Sequence, residues 1–176
     1  PTDKDGKTHP IRVDVNRRGV TVRTRRAIIN AAEIRKPRNA REAVISALES
    51  PLPLSALPLR VATYSLQGPE ADKVQILIHA DVGADYAASR VVSLGYLITD
   101  QSGRLVDSQM ANARLQPIMN GVPSALQFAG GASLPPGEYT LKLAVAEGDR
   151  VGTVEHPLHA GVRPAASLRV SDLMVG

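Results

Sequence analysis

The sequence predicts an all-β protein: an immunoglobulin-like antiparallel β-sandwich over residues 55–176, preceded by a β-hairpin in residues 1–26 and by a short α-helix with a proline-rich linker in residues 27–54. From Leu59 onward, short segments that alternate apolar and polar residues recur at spacings near ten residues, with turn signals between them. No succession of helices supports a parallel sheet. Of the 176 residues 43% are hydrophobic, with a single Phe and no Trp, so we expect an aliphatic core.

The N-terminal segment carries the signature of a β-hairpin. Ile11–Val15 and Val20–Thr24 alternate with period two, and Asn16–Gly19 between them is a turn-forming group. The edges of this hairpin need partners, so we expect it to supply a sheet edge, either within the chain or between two copies of a homodimer. After it, residues 27–34 favour one or two helical turns that end before Pro37.

A short helix is predicted next, from Asn39 to about Glu49. Asn39 can cap the free N–H groups, and Glu42, three residues on, completes a capping box. Val44, Ile45 and Leu48 form an apolar stripe at helical spacing. The three prolines of residues 51–58 then predict an extended linker whose leucines pack.

The predicted sandwich has strands joined by recognisable turns. Residues 83–85 are predicted to form a loop, Asp100–Gly103 a tight turn, and Gly148 and Asp149 another turn. Residues 115–131 are rich in turn signals and are expected to contain one short strand. The predicted strands are Leu59–Leu66, Lys73–Ala80, Val91–Thr99, Arg104–Ala111, Ser124–Phe128, Glu138–Glu147, Val151–Leu158 and Ser167–Val175.

The run SLPPGEYTLKLAVA, residues 133–146, predicts a structural corner formed by Pro136, Gly137 and Tyr139. A Pro-Gly-x-Tyr group that leads into a long strand is typical of a Greek-key sandwich. The glycine would adopt the backbone angles of the turn, and the tyrosine hydroxyl would bond to a backbone group across the corner.

No residue pattern predicts catalysis, a cofactor or a metal site. His156 and His159 are three apart on a predicted strand, which would direct their rings to opposite faces. Four aspartates, at positions 81, 85, 107 and 149, fall at predicted loops where a sandwich could chelate calcium, but no dense Asp/Asn run supports that reading. Nucleophile elbows and phosphate loops are absent from the sequence. We therefore predict that the protein is not an enzyme.

Two binding classes are also disfavoured. Sugar platforms rely on exposed Trp and Tyr, and Tyr64, Tyr86 and Tyr96 alone are weak support for one. The sequence contains no apolar run of 18 residues, so no membrane span is predicted.

Charge is distributed unevenly along the chain. Residues 1–41 carry twelve Lys/Arg against four Asp/Glu, a net charge of +8, whereas the remaining residues carry nine against thirteen, a net charge of −4. An outward, solvated strand face explains this pattern, and attachment to an acidic surface or polyanion is the alternative. Nucleic-acid binding is not predicted, because residues 1–41 contain no aromatic residue for stacking. The polyanion site would consist of Arg17, Arg18, Arg23, Arg25 and Arg26.

Two runs resemble the bacterial VWFA-related proteins, which contain a von Willebrand factor type A domain. The run HPIRVDVNRRGVTVRTR, residues 9–25, is similar to the hairpin that closes that domain, although Ala27-Ile28 stand where the family often has Gly-Tyr. The run ALESPLPLSALPLRV, residues 47–61, is similar to the segment that follows. The Leu-Pro-Pro-Gly-Glu-Tyr corner and the closing run LRVSDL, residues 168–173, also fit the family.

This resemblance implies a place in a larger exported protein. The chain would be its C-terminal portion, following an upstream VWFA domain, and would lie in the periplasm or outside the cell. It lacks the Asp-x-Ser-x-Ser metal motif of that domain, so no metal residues are carried over. We expect a non-catalytic protein-interaction or structural module, whose partner is another protein or the upstream VWFA domain.

Overall fold

The structure is a computed structural model that describes residues 8–10, 27–29, 37–119, 122–165 and 168–172. The chain divides into two compact units, residues 1–36 and residues 37–176. The helix therefore belongs to the second unit.

In the first unit, two short strands pair antiparallel. β1 (Thr8–Pro10) pairs with β2 (Ala27–Ile29), and His9 lies opposite Ile28. Residues 27–29 are therefore a strand where helical turns were predicted: their β-branched isoleucines suit a paired strand. The predicted hairpin strands and their turn, residues 11–24, lie outside the described residues, and the hairpin stays a prediction.

The second unit begins with the predicted helix, α1 (Ala40–Glu49). Asn39 has extended backbone angles, and its Oδ1 accepts a hydrogen bond of 2.8 Å from the Glu42 N–H. The Glu42 carboxylate returns a bond of 2.9 Å to the N–H of Arg38 rather than to that of Asn39. The capping box is thus formed with its second bond shifted by one residue.

Seven strands of the second unit form one antiparallel sheet in the order β3-β4-β7-β6-β5-β8-β9. β6 pairs with β5 along most of its length and with β7 only at Gln116 and Pro117, so the sheet folds there into two halves. We call β3, β4 and β7 the first half and β5, β6, β8 and β9 the second half. The strands are β3 (Leu59–Gln67), β4 (Val74–Tyr86), β5 (Arg90–Asp100), β6 (Leu105–Pro117), β7 (Ser124–Leu134), β8 (Gly137–Glu147) and β9 (Arg150–Ala160).

The two halves enclose one aliphatic core, which confirms the predicted all-β, sandwich-like fold. Alternate residues of β4, β5 and β8 point inward and are buried, as the period-two pattern predicts. Tyr96 crosses this core from β5, and its hydroxyl donates a bond of 3.0 Å to the Gly131 carbonyl on β7. The fully buried members include Ile76, Ile78, Val82, Ile98, Leu126, Leu134, Leu141, Leu143 and Leu158.

The sandwich is nearly closed into a barrel, because β3 and β9 approach each other at both ends. The segment before β3 bonds to the start of β9, with the Leu57 N–H donating to the Val151 carbonyl at 3.2 Å. At the other end, the Ser65 hydroxyl donates to the His159 carbonyl at 2.6 Å. β9 is an edge strand of the sheet, which explains why it tolerates Pro157.

Two strands continue through glycines that the sequence suggested as turns. β4 does not stop at a loop over residues 83–85 but reaches Tyr86, because Gly83 adopts φ +68° and the register shifts there. β7 runs through Gly130, where a Cβ would lie 2.6 Å from the Phe128 ring. That glycine makes room for an aromatic ring instead of reversing the chain.

The end of the chain also differs from the prediction of one strand over residues 167–175. β10 (Arg163–Ala165) and β11 (Leu168–Val170) pair with each other. The residues that follow attach to the edge of β3, where the Ser65 N–H donates to Asp172 Oδ2 at 2.8 Å. Residues 173–175 lie outside the described part of the chain.

Helix α1 covers the outer face of the second half of the sheet. Ala144 and Ala146 of β8 are buried beneath it, and a Cβ at Gly95 of β5 would lie 3.1 Å from a Val44 methyl. The small residues of these strands therefore form a floor that admits the helix. The predicted stripe of Val44, Ile45 and Leu48 is wrong in one member: Ile45 is 39% exposed, and the buried side chains are those of Ala43, Val44, Ala47 and Leu48.

Candidate functional site

The outer face of the first half of the sheet has no such covering element among residues 37–172 that the structure describes. In the strand register, Leu77 lies between Tyr64 and Gly131, and His79 lies between Ala62 and Ala129. The contacts of α1 are with β5, β8 and β9, and β11 contacts the edge strand β3. We call this surface the open face; it comprises Arg60, Ala62, Tyr64, Leu66, Gln75, Leu77, His79, Asp81, Gln127, Ala129, Gly131 and Ser133.

Half of the residues of the open face are apolar, with Gly131 counted among them. The water-exposed side of an antiparallel sandwich normally carries polar residues at alternate positions. Here Tyr64, Leu66 and Leu77 lie outward and half-buried, around a floor of Ala62 and Ala129. The outward residues of β4 on either side of Leu77 are polar, namely Gln75, His79 and Asp81, so Tyr64, Leu66 and Leu77 form the apolar part of the open face.

One end of the open face is charged. Arg60 and Asp81 lie directly opposite each other on β3 and β4, and Gln127 lies beyond Asp81 on β7. Asp81 Oδ1 is shielded from solvent and has no hydrogen-bond partner. A polar atom in that state costs about 1–3 kcal/mol relative to one that is satisfied. Among the described residues, Asp81 Oδ1 is the one side-chain oxygen or nitrogen atom that is buried and lacks a hydrogen-bond partner.

A cleft of about 290 Å³ lies at this charged end. Gly83 anchors one side of it, because its N–H donates a bond of 2.8 Å to the Pro58 carbonyl. The β6–β7 connection closes the other side, where the Ile118 N–H donates to the Ala125 carbonyl at 3.0 Å. The lining residues are Pro58, Arg60, Asp81, Gly83, Ala84, Ile118 and Ala125.

The β6–β7 connection also displays exposed apolar side chains, of which that of Ile118 lines the cleft. Ile118, Met119 and Val122 are 47%, 57% and 51% exposed. The Met119 N–H donates to Ser124 Oγ at 3.3 Å, so the backbone of Ile118 and Met119 is held by hydrogen bonds. The cleft thus brings the Ile118 side chain to the charged end of the open face.

The predicted corner lies elsewhere, where the chain passes from β7 in the first half to β8 in the second half. The Tyr139 hydroxyl donates a bond of 2.9 Å to the Pro135 carbonyl across this two-residue connection. Gly137 does not have the positive φ that the sequence suggested. A Cβ at position 137 would lie 3.4 Å from the Tyr139 ring. Glycine has no side chain, so it lets the ring pack closely against the backbone there.

Two of the tyrosines considered for sugar binding are core residues, since Tyr86 is 6% and Tyr96 is 2% exposed. Burial raises the pKa of Tyr96 to about 12, and the Asp107 carboxylate adds to this effect. Tyr64 is the one of the three that lies on the open face.

Tyr86 belongs to a polar cluster at the ends of β4, β5, β8 and β9. Its hydroxyl donates a bond of 2.5 Å to Glu147, and the guanidinium groups of Arg90 and Arg150 lie 5.9 and 5.7 Å from the centre of its ring. Burial raises the pKa of Tyr86 to about 12, and the hydrogen bond to the Glu147 carboxylate adds to this effect. Burial alone would raise the pKa of Glu147, but Tyr86 and Arg150 outweigh it and hold that pKa below its usual value. These groups satisfy one another and close one end of the sandwich.

The histidines do not form a ligand set. His159 Nδ1 lies 2.5 Å from Glu138 Oε1 at the surface, and His79 lies on the open face. Within the described ranges, no three His, Cys, Asp or Glu side chains come close enough to hold one metal ion. In the same ranges, no helix has the length and hydropathy needed to cross a bilayer. Arg17, Arg18, Arg23, Arg25 and Arg26 lie outside the described residues.

Comparison with known proteins adds little to this geometry. No family model matches the sequence, and no curated protein matches it significantly. The beta-glucuronidase of Bacteroides uniformis is similar in structure, with 15% identity and a TM-score of 0.40 over 58% of this chain and 13% of that chain. The C-terminal domain of Wzt shows 14% identity and a TM-score of 0.36 over 71% of this chain and 84% of that domain. The function of this chain is therefore inferred from its own residues.

Proposed function

We propose that this chain is a non-catalytic protein-interaction and structural module of an exported bacterial protein, and that it binds its partner through the open face. The observation that carries the proposal is the contrast between the two outer faces of the sandwich. One is covered by α1, whereas the other presents Tyr64, Leu66 and Leu77 side by side. Export to the periplasm or beyond, and an upstream VWFA domain, are supported by the resemblance of residues 9–25 and 47–61.

The extent of the open face indicates what kind of contact it can make. Arg60 and Leu66 are six residues apart on β3, which is about 20 Å, and three strands span about 15 Å. The whole face therefore measures roughly 300 Å², and Tyr64, Leu66 and Leu77 supply its apolar part. Ile118, which is exposed and lines the cleft, adds apolar surface at the charged end of the face.

Site-specific photo-crosslinking in the native host tests this proposal. A photoreactive amino acid at position 77, in the full protein, should give an adduct with one discrete protein. The matched control is position 45, because Ile45 is also a partly exposed apolar residue but lies on the covered side. The absence of an adduct at position 77, or equal adducts at both positions, would contradict the proposal.

A second candidate function is supported by sequence charge alone. The net charge of +8 over residues 1–41 suits attachment to a polyanion or an acidic surface. Retention of the full chain on a heparin column in a salt series distinguishes this candidate. Retention that disappears when Arg17, Arg18, Arg23 and Arg25 are changed to Ser favours it, and no retention at low salt removes it.

A further inference from the structure

The order of the described strands leaves one side of β6 without a neighbour over most of its length. β6 pairs with β5 between Leu105 and Leu115, but it meets β7 only at Gln116 and Pro117. From there β6 and β7 diverge into the two halves of the sheet. Among the described residues, the sandwich is therefore open along this side, whereas β3 and β9 approach each other at both ends of the other side.

Alternation along β6 identifies the backbone groups that lie on this side. In an antiparallel strand, the N–H and C=O groups of successive residues point to opposite edges. The Ile118 N–H, just after β6, bonds to the Ala125 carbonyl of β7, so the even-numbered residues of β6 face away from β5. Met110, Asn112 and Arg114 therefore direct their N–H and C=O groups to an edge with which no described strand pairs there. We call these three residues the free edge of β6.

Asp107 limits the free edge at the end near the β5–β6 turn. Its Oδ1 accepts a hydrogen bond of 2.8 Å from the Ser108 N–H, which occupies that donor. Its Oδ2 lies 3.3 Å from the Tyr96 hydroxyl, so the carboxylate points inward. An inward charge on an edge strand opposes the addition of a further strand. The part that remains available extends from Met110 to Arg114, which is about 13 Å of strand.

Apolar side chains of the core are only partly covered where β6 and β7 diverge. Ala113 of β6 and Phe128 of β7 pack against the core, but both are half-buried. Each lies close in sequence to Gln116 or Gln127, which pair with each other at the point of divergence. A strand added to β6 would bring its own inward side chains against Ala113 and Phe128 and remove more of them from water.

The other edges of the sheet make hydrogen bonds within the chain. On β3, the Ser65 N–H donates to Asp172 Oδ2 at 2.8 Å. On β9, the Thr153 N–H donates at 2.8 Å to a carbonyl of the segment before β3. On β7, the Gly131 carbonyl accepts the bond from the Tyr96 hydroxyl. The free edge of β6 differs from these edges, because its backbone groups are available to an external strand.

A second copy of the chain fits the free edge poorly. β7 occupies the same side of β6 from Gln116 onward, so a two-fold pairing centred on Asn112 would bring the β7 of each copy against the β6 of the other. A pairing shifted to avoid β7 would be centred near Ser108, and the Asp107 carboxylates of both copies would then repel each other. A single extended segment meets neither obstacle.

We propose that the free edge of β6 receives an extended segment of a partner protein, which adds a strand to the second half of the sheet. Main-chain hydrogen bonds to Met110, Asn112 and Arg114 would supply the affinity, and alternate side chains of the segment would cover Ala113 and Phe128. This edge lies on the other half of the sandwich from the open face, so the inference goes beyond the proposed function.

Photo-crosslinking of the full protein in the native host provides the first part of the test. A photoreactive amino acid at position 112 should give an adduct with a segment of another protein in which apolar and polar residues alternate. Position 155 is the matched control, because Glu155 is exposed on β9 in the same half of the sheet. No adduct at position 112, equal adducts at both positions, a segment with helical spacing, or a peptide from a second copy of this chain would overturn the inference.

Proline substitution tests the backbone contact itself. Asn112→Pro removes an N–H from the free edge but none from the pairing with β5, and edge strands tolerate proline. Asn112→Ala is the matched control, because both variants lose the side-chain bond to Ser93 and only the proline variant loses the N–H. In isothermal titration calorimetry with a synthetic peptide of the identified segment, we expect Asn112→Pro to weaken binding at least about tenfold and Asn112→Ala by less than about threefold.

Two further measurements keep this test decisive. If far-UV circular dichroism shows that Asn112→Pro is unfolded, Arg114→Pro and Arg114→Ala form an equivalent pair at the end of the free edge. On the peptide, N-methylation of one alternate set of residues should weaken binding at least about tenfold, and N-methylation of the other set by less than about threefold. Equal losses for the proline and alanine variants, or a loss at every methylated position, would overturn the inference.

Discussion

Adjacent residues on β4 give the sharpest test of whether one face of the first sheet half is uncovered. Ile76 is fully buried in the core, and Leu77, the next residue, points to the open face. Ile76→Ala deletes buried methyl groups and leaves a cavity, so we expect it to lower the free energy of unfolding by about 2–5 kcal/mol. Leu77→Ala leaves no cavity and loses only cross-strand contacts with Tyr64, so we expect about 1 kcal/mol or less.

Urea unfolding of the full chain, followed by far-UV circular dichroism, measures both variants under the same conditions. The midpoint should move strongly for Ile76→Ala and little for Leu77→Ala, with unchanged m-values. A thermal scan should agree, since about 1 kcal/mol corresponds to about 2–4 °C in a chain of this size. If Leu77→Ala proved as destabilising as Ile76→Ala, the face would be covered in the isolated protein, and no partner would be needed to explain its apolar residues.

Three further outcomes are expected from single substitutions. Gly95→Val should lower the free energy of unfolding by about 1–3 kcal/mol through overpacking against α1, and hydrogen exchange should rise in Ala40–Glu49 and not in β4. Tyr139→Phe should lower the free energy of unfolding in urea by about 0.5–1.5 kcal/mol, because the hydrogen bond to the Pro135 carbonyl is lost. An unchanged free energy of unfolding would show that this bond does not stabilise the corner. Because the pKa of Tyr96 is raised to about 12, the unfolded state deprotonates first, and stability should fall by about 2–3 kcal/mol between pH 10 and pH 12. In urea unfolding measured at each pH, Tyr96→Phe should lose less stability between pH 10 and pH 12 than the unmodified protein does. An equally steep fall of the unfolding free energy with pH in both proteins would contradict this prediction.

Local features of the sequence were sufficient for the turns and the cap. In Asp100–Gly103, the Gly103 N–H donates to the Asp100 carbonyl at 2.9 Å, and Gly103 adopts φ +79°. The pKa of the Asp100 carboxyl is lowered by hydrogen bonds that it accepts. The bond from the Ser102 side chain has the larger effect, and the bond from the backbone N–H of Arg104 adds to it. Each of these contacts lies within four residues in the chain, so residue type and spacing predict it without knowledge of the tertiary fold.

Tertiary contacts decided the features that the sequence did not predict. Gly83 and Gly130 were assigned to turns, yet both lie within strands. Gly83 permits a β-bulge, and the absence of a side chain at Gly130 leaves space for the Phe128 ring. Ile45 was expected to be buried with Val44 and Leu48. The floor beneath α1 receives Ala43 and Ala47 instead, and only the identity of the opposing strands could have revealed this.

The candidate site had one sequence signal, the run Ile76-Leu77-Ile78. Because side chains alternate along a strand, three consecutive apolar residues place at least one of them on the outer face. Asp81 was assigned to a loop and weighed as a calcium ligand, because the strand was thought to end at Ala80. Its position on the open face depends on the continuation of β4 to Tyr86, which the bulge at Gly83 makes possible.

The two outer faces together explain why the open face is better understood as a binding surface than as a tolerated irregularity. Position 77 of β4 could carry Thr, Lys or Glu at no cost to the core, as the polar Gln75 and His79 on either side of it show, and such a residue would also reduce association of the exposed sheet. The chain instead places Leu77 there, opposite Tyr64 of β3. On the other side, small and aliphatic residues are buried beneath α1. Tyr64, Leu66 and Leu77 lie next to one another on the open face, so a partner that covered this face would remove all three side chains from water at once.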